Sequence, residues 1–304
     1  MAALLCAPAS ASASAGDVDQ TPAEILSYWT DARIDSAVPG DELLARLDAP
    51  GLSDGLGLGL GAEPSTLAAA QQVGNPNKGR KRAHGKVFFT LGFSDYQCSG
   101  TVVRSKTKRL VVTAGHCAYS SADRYASNFM FIPAKDGSSE PYGRWAATRL
   151  KVTPQWEQNE KINYDVAFAT MAKRNGKKLQ RVVGARGVAF NRQGNQLFRA
   201  FGYPASGPSR FDGGTPFRCK AIQEGSDPRP GSPRPNRIDC DMTGGSSGGG
   251  WVISKGRVNS VVSYGYDCDP LLSIVFPCRN PEKGKLFGPY FGNVIRDLYR
   301  SEKR

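Results

Sequence analysis

From about residue 84 the chain alternates short apolar runs with glycine, proline and asparagine turns. Strand-like stretches run over Lys86 to Gly92, Cys98 to Val103 and Leu110 to Thr113, rich in β-branched and aromatic residues. Many short runs punctuated this way predict an all-β barrel or sandwich. Helical periodicity is confined to the ends. Val294, Ile295 and Leu298 fall on one face of a stretch from Gly292 to Lys303, and Pro22 to Thr30 carries a second helical pattern. Gly51 to Gly61 alternates glycine with leucine and reads as linker, and no internal repeat is visible.

Charge sharpens this division. Residues 1–77 hold ten acids against Arg33 and Arg46, a balance of −8, so a 304-residue chain at +13 leaves +21 on the remainder. The boundary is the basic cluster Lys78-Gly79-Arg80-Lys81-Arg82, as a processing site would be. Three segments follow: 1–15, which resembles the tail of a signal peptide without its basic start; 16–82, an acidic propeptide and linker; and 83–304, a basic domain. A prosegment of this charge is expected to screen the basic domain and block its cleft. His84, beside the cluster, is expected on the surface. No run of about 18 apolar residues proposes a membrane span. Seven cysteines lack metal-ligand spacing, so no zinc or other metal and no cofactor is expected, and an oxidised, secreted protein is the simpler reading. A basic surface allows contact with an anionic polymer, but no motif points to specific nucleic-acid binding.

Candidate chemistry centres on Leu110 to Cys117, where an apolar run ends in Thr-Ala-Gly-His-Cys. The chain has two histidines, so His116 is the leading proton acceptor near neutral pH. Asp165 lies within the apolar run Asn163 to Phe168, where an unpaired carboxylate would be costly to desolvate. Ser247 sits in Thr243-Gly244-Gly245-Ser246-Ser247-Gly248-Gly249-Gly250, a glycine turn able to aim backbone N–H groups at a bound oxygen. Together these are the parts of an activated hydroxyl nucleophile. Ser246 competes with Ser247, which has Gly245 two residues before it and Gly248-Gly249 after it. Gly244 to Gly248 also fits G-x-S-x-G, but an α/β-hydrolase needs its histidine after the serine, and none follows.

The order His116, Asp165, Ser247, with Tyr-Asp-Val-Ala and Gly-Ser-Ser-Gly-Gly, resembles the three catalytic motifs of trypsin-like serine endopeptidases, from about Val87 to Tyr299. Gly202-Tyr203-Pro204 and Met242-Thr243-Gly244-Gly245 resemble the secreted bacterial V8-like branch. The resemblance implies a chymotrypsin-like double six-stranded β-barrel ending in a helix, and an endopeptidase acting on polypeptides as a monomer. It implies an oxyanion hole from Gly245 and Ser247, and a Cys98–Cys117 disulfide; proximity then pairs Cys219 with Cys240 and Cys268 with Cys278, and Cys6 leaves with the leader. Asp241, six residues before the serine, is implied at the base of the primary pocket, favouring Lys or Arg substrates. Ser263, Tyr264 and Gly265 resemble the wall strand that pairs with substrate backbone. Two departures stand out. Ser246 replaces the acid that pairs with a new amino terminus in trypsin-type enzymes, removing that activation switch, and Gly250 replaces a common proline, which is expected to loosen the turn. The alternative is a catalytically idle member of the fold that binds an anionic polymer.

Overall fold

A computed structural model describes residues 16–46, 69–192, 194–207, 209–265 and 284–304. The strands His84–Leu91, Ser94–Val102, Leu110–Thr113, Ser127–Pro133, Trp145–Val152 and Ala167–Met171 form an antiparallel sheet. It closes on itself where Thr101 and Val102 pair with Val112 and Val111, giving a six-stranded barrel. Closure leaves this sheet no unpaired rim for aggregation and packs Val87, Phe89, Val111, Phe131, Leu150 and Ala169 inside.

The second half is built on Leu197–Gly202, Phe217–Ile222, Gly250–Ile253 and Arg257–Val261, with Gly187–Val188 and Gln71–Gln72 on the two edges. A smaller sheet of Asn236–Asp239, Lys285–Gly288 and Tyr264–Gly265 stands beside it. Phe198, Cys219, Ile238 and Trp251 form its core. A third cluster, with Val112, Phe168, Phe201, Val261 and Ile295, joins strands of both halves and takes in the carboxy-terminal helix Asn293–Glu302. Helices lie at Pro22–Tyr28 and Asn293–Glu302 as the periodicity predicts, and three that it does not predict lie at Asp31–Ser36, Pro154–Asn159 and Leu179–Val183, too short to show a helical period.

The acidic amino-terminal part is packed on the barrel. Thr21 closes a capping box with Glu24 at the first helix, whose Ile25 is buried with Trp29 and Ile34 against Phe88, Met130 and Ile132. Trp29 Nε1 donates to the Asn128 carbonyl at 2.6 Å. Arg33 pairs with Asp95 at 2.8 Å, and Asp31 with Arg144 at 3.0 Å.

His84 is not on the surface. It is 5% exposed, stacked on Phe201 at 3.8 Å, with Nδ1 2.9 Å from Thr101 Oγ1 and Nε2 accepting from Arg186 Nε at 3.2 Å. The neighbouring basic cluster misled because the strand turns inward just after it. Since Arg186 can only donate, Nε2 is unprotonated and the neutral Nδ1–H ring is the native species. Burial, and then the Arg186 charge, hold His84 well below its ordinary value of 6.5. A depressed histidine contributes stability that is present above the unfolded value and lost as pH falls toward the folded one. The wild-type unfolding free energy, read from denaturant titrations, should therefore fall from pH 7 to pH 5 more steeply than that of His84→Gln, by at most about 1.4 kcal/mol per pH unit. Parallel pH profiles for the two proteins would refute this.

Candidate active site

The strand Leu110–Thr113 ends in a turn that carries His116. Gly115 is required there: a Cβ at that position would lie 2.9 Å from both Asp165 Oδ1 and Trp156. The short helical turn Ile162–Tyr164 delivers Asp165 from the other side, fully buried. Its carboxylate accepts from the His116 backbone N–H at 2.8 Å through Oδ1, and from His116 Nδ1 at 2.8 Å and Ser263 Oγ through Oδ2. Three donors satisfy the desolvated charge that the sequence left unexplained. With Nδ1–H committed to Asp165, the proton-accepting lone pair of the neutral ring is on Nε2. That atom is buried and makes no hydrogen bond among the described residues.

Ser247 is held by the backbone. Its carbonyl accepts from Ser99 N at 2.7 Å, and Thr113 Oγ1 donates to the Ser99 carbonyl at 2.8 Å, tying the glycine turn to the strand that leads to His116. A Cβ at Gly248 would meet Thr113 Oγ1 at 2.0 Å and Ala114 N at 2.8 Å, and Gly248 has φ +83°, so only glycine fits. Gly245 has φ +89° and its carbonyl accepts from Ser99 Oγ at 2.9 Å. Ser246 Oγ is buried without a partner among the described residues and packs over Gly202, where a Cβ would come within 2.7 Å of its own Cβ. Gly250 does not loosen the turn: its N–H donates to Thr101 Oγ1 at 3.1 Å, a bond that proline could not make.

Disulfides join Cys98 to Cys117 and Cys219 to Cys240, while Cys6, Cys268 and Cys278 lie outside the described residues. The first fixes the turn after His116 to the strand that carries Ser99. Cys98, His116 and Cys117 also lie at metal-ligand distances from one another, but both sulfurs are consumed in the disulfide.

The implied specificity residues are engaged. Asp241 accepts from the Ala70 backbone N–H at 2.6 Å and pairs with Arg210, which also donates to the Ala70 carbonyl at 3.0 Å. Ser263 turns its hydroxyl to Asp165 and its N–H to the Phe287 carbonyl, and Tyr264 stacks on Phe287 at 5.0 Å with its hydroxyl on Asp227. Gly265 pairs with Leu286. Lys86, which no motif marked, is fully buried near the glycine turn and donates to the Tyr203 carbonyl at 3.3 Å. Burial and the nearby Lys135 push its ammonium well below the ordinary value of 10.5. Ser99 also escaped notice, since nothing in spacing links it to Gly245, 146 residues away.

A closed six-stranded β-barrel joined to a second β half, with a helix at the carboxy-terminal end, is the architecture of the chymotrypsin-fold peptidases. Residues 98–260 match the trypsin-like peptidase domain, and the chain belongs to that family. Among solved structures it is similar to the protease Anisep from Arthrobacter nicotinovorans, at 41% identity and TM-score 0.65, covering 73% of this chain and 95% of that one. A thermostable serine protease AL20 from an extremophilic microorganism matches at 34% identity and TM-score 0.65, covering 73% and 97%. Curated relatives match over a shorter stretch: the extracellular metalloprotease of Bacillus subtilis at 40% over 72 residues and the glutamyl endopeptidase of Bacillus licheniformis at 36% over 69. These stretches are 24% and 22% of this chain, and the chain spans about a fifth of those relatives' length, 22% and 21%.

Proposed function

We propose that the protein is a secreted serine endopeptidase, made as a proenzyme, in which Ser247 is the nucleophile, His116 the general base and Asp165 its orienting partner. The observation that carries this reading is the double contact of Asp165 with His116, at Nδ1 and at the backbone N–H, both 2.8 Å. It sets the tautomer whose Nε2 can take the Ser247 proton as Oγ attacks a peptide carbonyl. The tetrahedral intermediate then collapses as His116 returns that proton to the leaving amine, and water repeats the sequence on the acyl-enzyme. The backbone N–H groups of Gly245 and Ser247 receive the oxyanion; removing one such donor typically costs about 3–4 kcal/mol of barrier. Disulfides fit an oxidising compartment, and among the described residues no helix is long and apolar enough to cross a membrane.

Substrate choice rests on Asp241. A Lys or Arg side chain would displace Arg210 from this carboxylate, exchanging one charge-assisted pair for another. Such an exchange also requires the Ala70 contact to open.

The test is a serine-directed phosphonate probe applied to protein processed within Lys78 to Arg82, followed by peptide mapping. Probe mass on Ser247, absent in His116→Ala, is the expected result. A folded, disulfide-complete sample that takes no probe would favour the idle fold with a polymer-binding basic surface.

A further inference from the structure

The amino-terminal segment does more than cover the barrel: it enters the site. Val38–Pro39 adds a parallel strand to Tyr96 and Gln97, immediately before Cys98 and Ser99. Gln97 Nε2 donates to the Ala37 carbonyl, and Gly40 lies so close to the Cys98–Cys117 bridge that a Cβ there would meet Cys98 Sγ at 2.6 Å. The next residue is Asp41. Its Oδ1 accepts from Gly245 N at 3.2 Å, and both carboxylate oxygens lie 2.5 Å from where a Cβ on Gly244 would stand. Leu43 then returns to the barrel core. His116 is 2% and Ser247 3% exposed.

We propose that residues 37–44 are a tethered plug of the active site in which the Asp41 carboxylate occupies the position reserved for the substrate oxyanion. The inference rests on the endopeptidase reading and deepens it by naming the regulation of that same site. An anionic oxygen on the Gly245 N–H is the charge distribution that an oxyanion hole favours, so Asp41 binds there as a ground-state imitation. A carboxylate is also a poor electrophile with no amine to expel, so Ser247 cannot turn it over. Charge adds to the fit, because Asp41 and Asp212 are the acids that counter the buried Lys86 ammonium. The plug is held from upstream by Trp29 and Ile34 in the barrel-side cluster and by the Arg33–Asp95 and Asp31–Arg144 pairs. Cutting the chain between Lys78 and Arg82 breaks none of these contacts. Release of the segment, not the cut alone, opens the site.

The experiment uses the full chain, wild type and two variants, with intact mass confirming that no cleavage has occurred. Asp41→Ala should take a phosphonate probe at Ser247 about 10-fold faster or more than wild type, the loss of one hydrogen bond to a charged group. Glu42→Ala, which removes the neighbouring exposed acid, should label at the wild-type rate. Equal rates for Asp41→Ala and wild type, or equal acceleration by Glu42→Ala, would overturn the plug. A second measurement needs no catalysis: amide hydrogen exchange of the peptide containing Gly245 should quicken in Asp41→Ala, and unchanged exchange would also overturn it. If no form labels, including the processed one, the endopeptidase reading fails, while the exchange result still decides where Asp41 binds.

Discussion

Replacing Ser247 by alanine should lower kcat of the processed enzyme roughly 10⁶-fold, leaving a residual rate about 10³–10⁴ above water from the glycine turn and substrate binding. The large factor follows from the proposed mechanism, in which Ser247 Oγ forms the acyl-enzyme. Stability should change little, because Ser247 is held through its carbonyl on Ser99 N, which alanine retains. Peptide hydrolysis read against an unchanged melting temperature checks both halves. Retention of more than a few per cent of the activity would return Ser246 to consideration, although its hydroxyl is buried over Gly202.

Asp165→Asn should lower kcat about 10⁴-fold with KM nearly unchanged. Oδ1 can still accept the His116 backbone N–H, but an amide nitrogen in place of Oδ2 presents a donor to Nδ1. The imidazole must then accept at Nδ1 and carry its proton on Nε2, where it cannot take the proton of Ser247. Ser263 tolerates the change, since its hydroxyl can rotate from donating to accepting. Asp165→Asn combined with Ser247→Ala should be no worse than Ser247→Ala alone, because the groups act as a unit. Steady-state kinetics on the single and double variants decide this, and additive losses would separate Asp165 from the serine.

Much of the site was legible because each of its motifs is local. Thr-Ala-Gly-His-Cys, Tyr-Asp-Val-Ala and the glycine turn each carry one candidate group within a few neighbouring residues, and their order excludes the α/β-hydrolase arrangement. The supporting residues were not legible. Ser99 ties Gly245 to Tyr203, Ser263 completes the shell of Asp165 from 98 residues away, and Thr101 receives both His84 and Gly250. Hydroxyls of this kind carry no periodic signal, and their roles exist only once two halves of the molecule meet.

The amino-terminal segment makes the same point with charge. Its acidity and the basic cluster after it were plain from composition, as was a helix at its start. Which acid mattered was not. Asp17, Asp31 and Asp41 read alike in the chain, yet the first two face Arg149 and Arg144 while the third reaches Gly245. Asp241 is the converse: a motif position marks it for a substrate cation, and the fold brings Arg210 and Ala70 to it.

The sequence by itself determined the β architecture and the family and singled out three candidate side chains, because alternation of apolar runs with turns, and motif order, are properties of neighbours along the chain. Only the tertiary structure decided how the carboxylate of Asp165 is satisfied, why His84 is buried, and that Asp41 lies on the glycine turn. Those facts depend on contacts across 49, 102 and 204 residues, where spacing carries no information and closure of the barrel decides what meets.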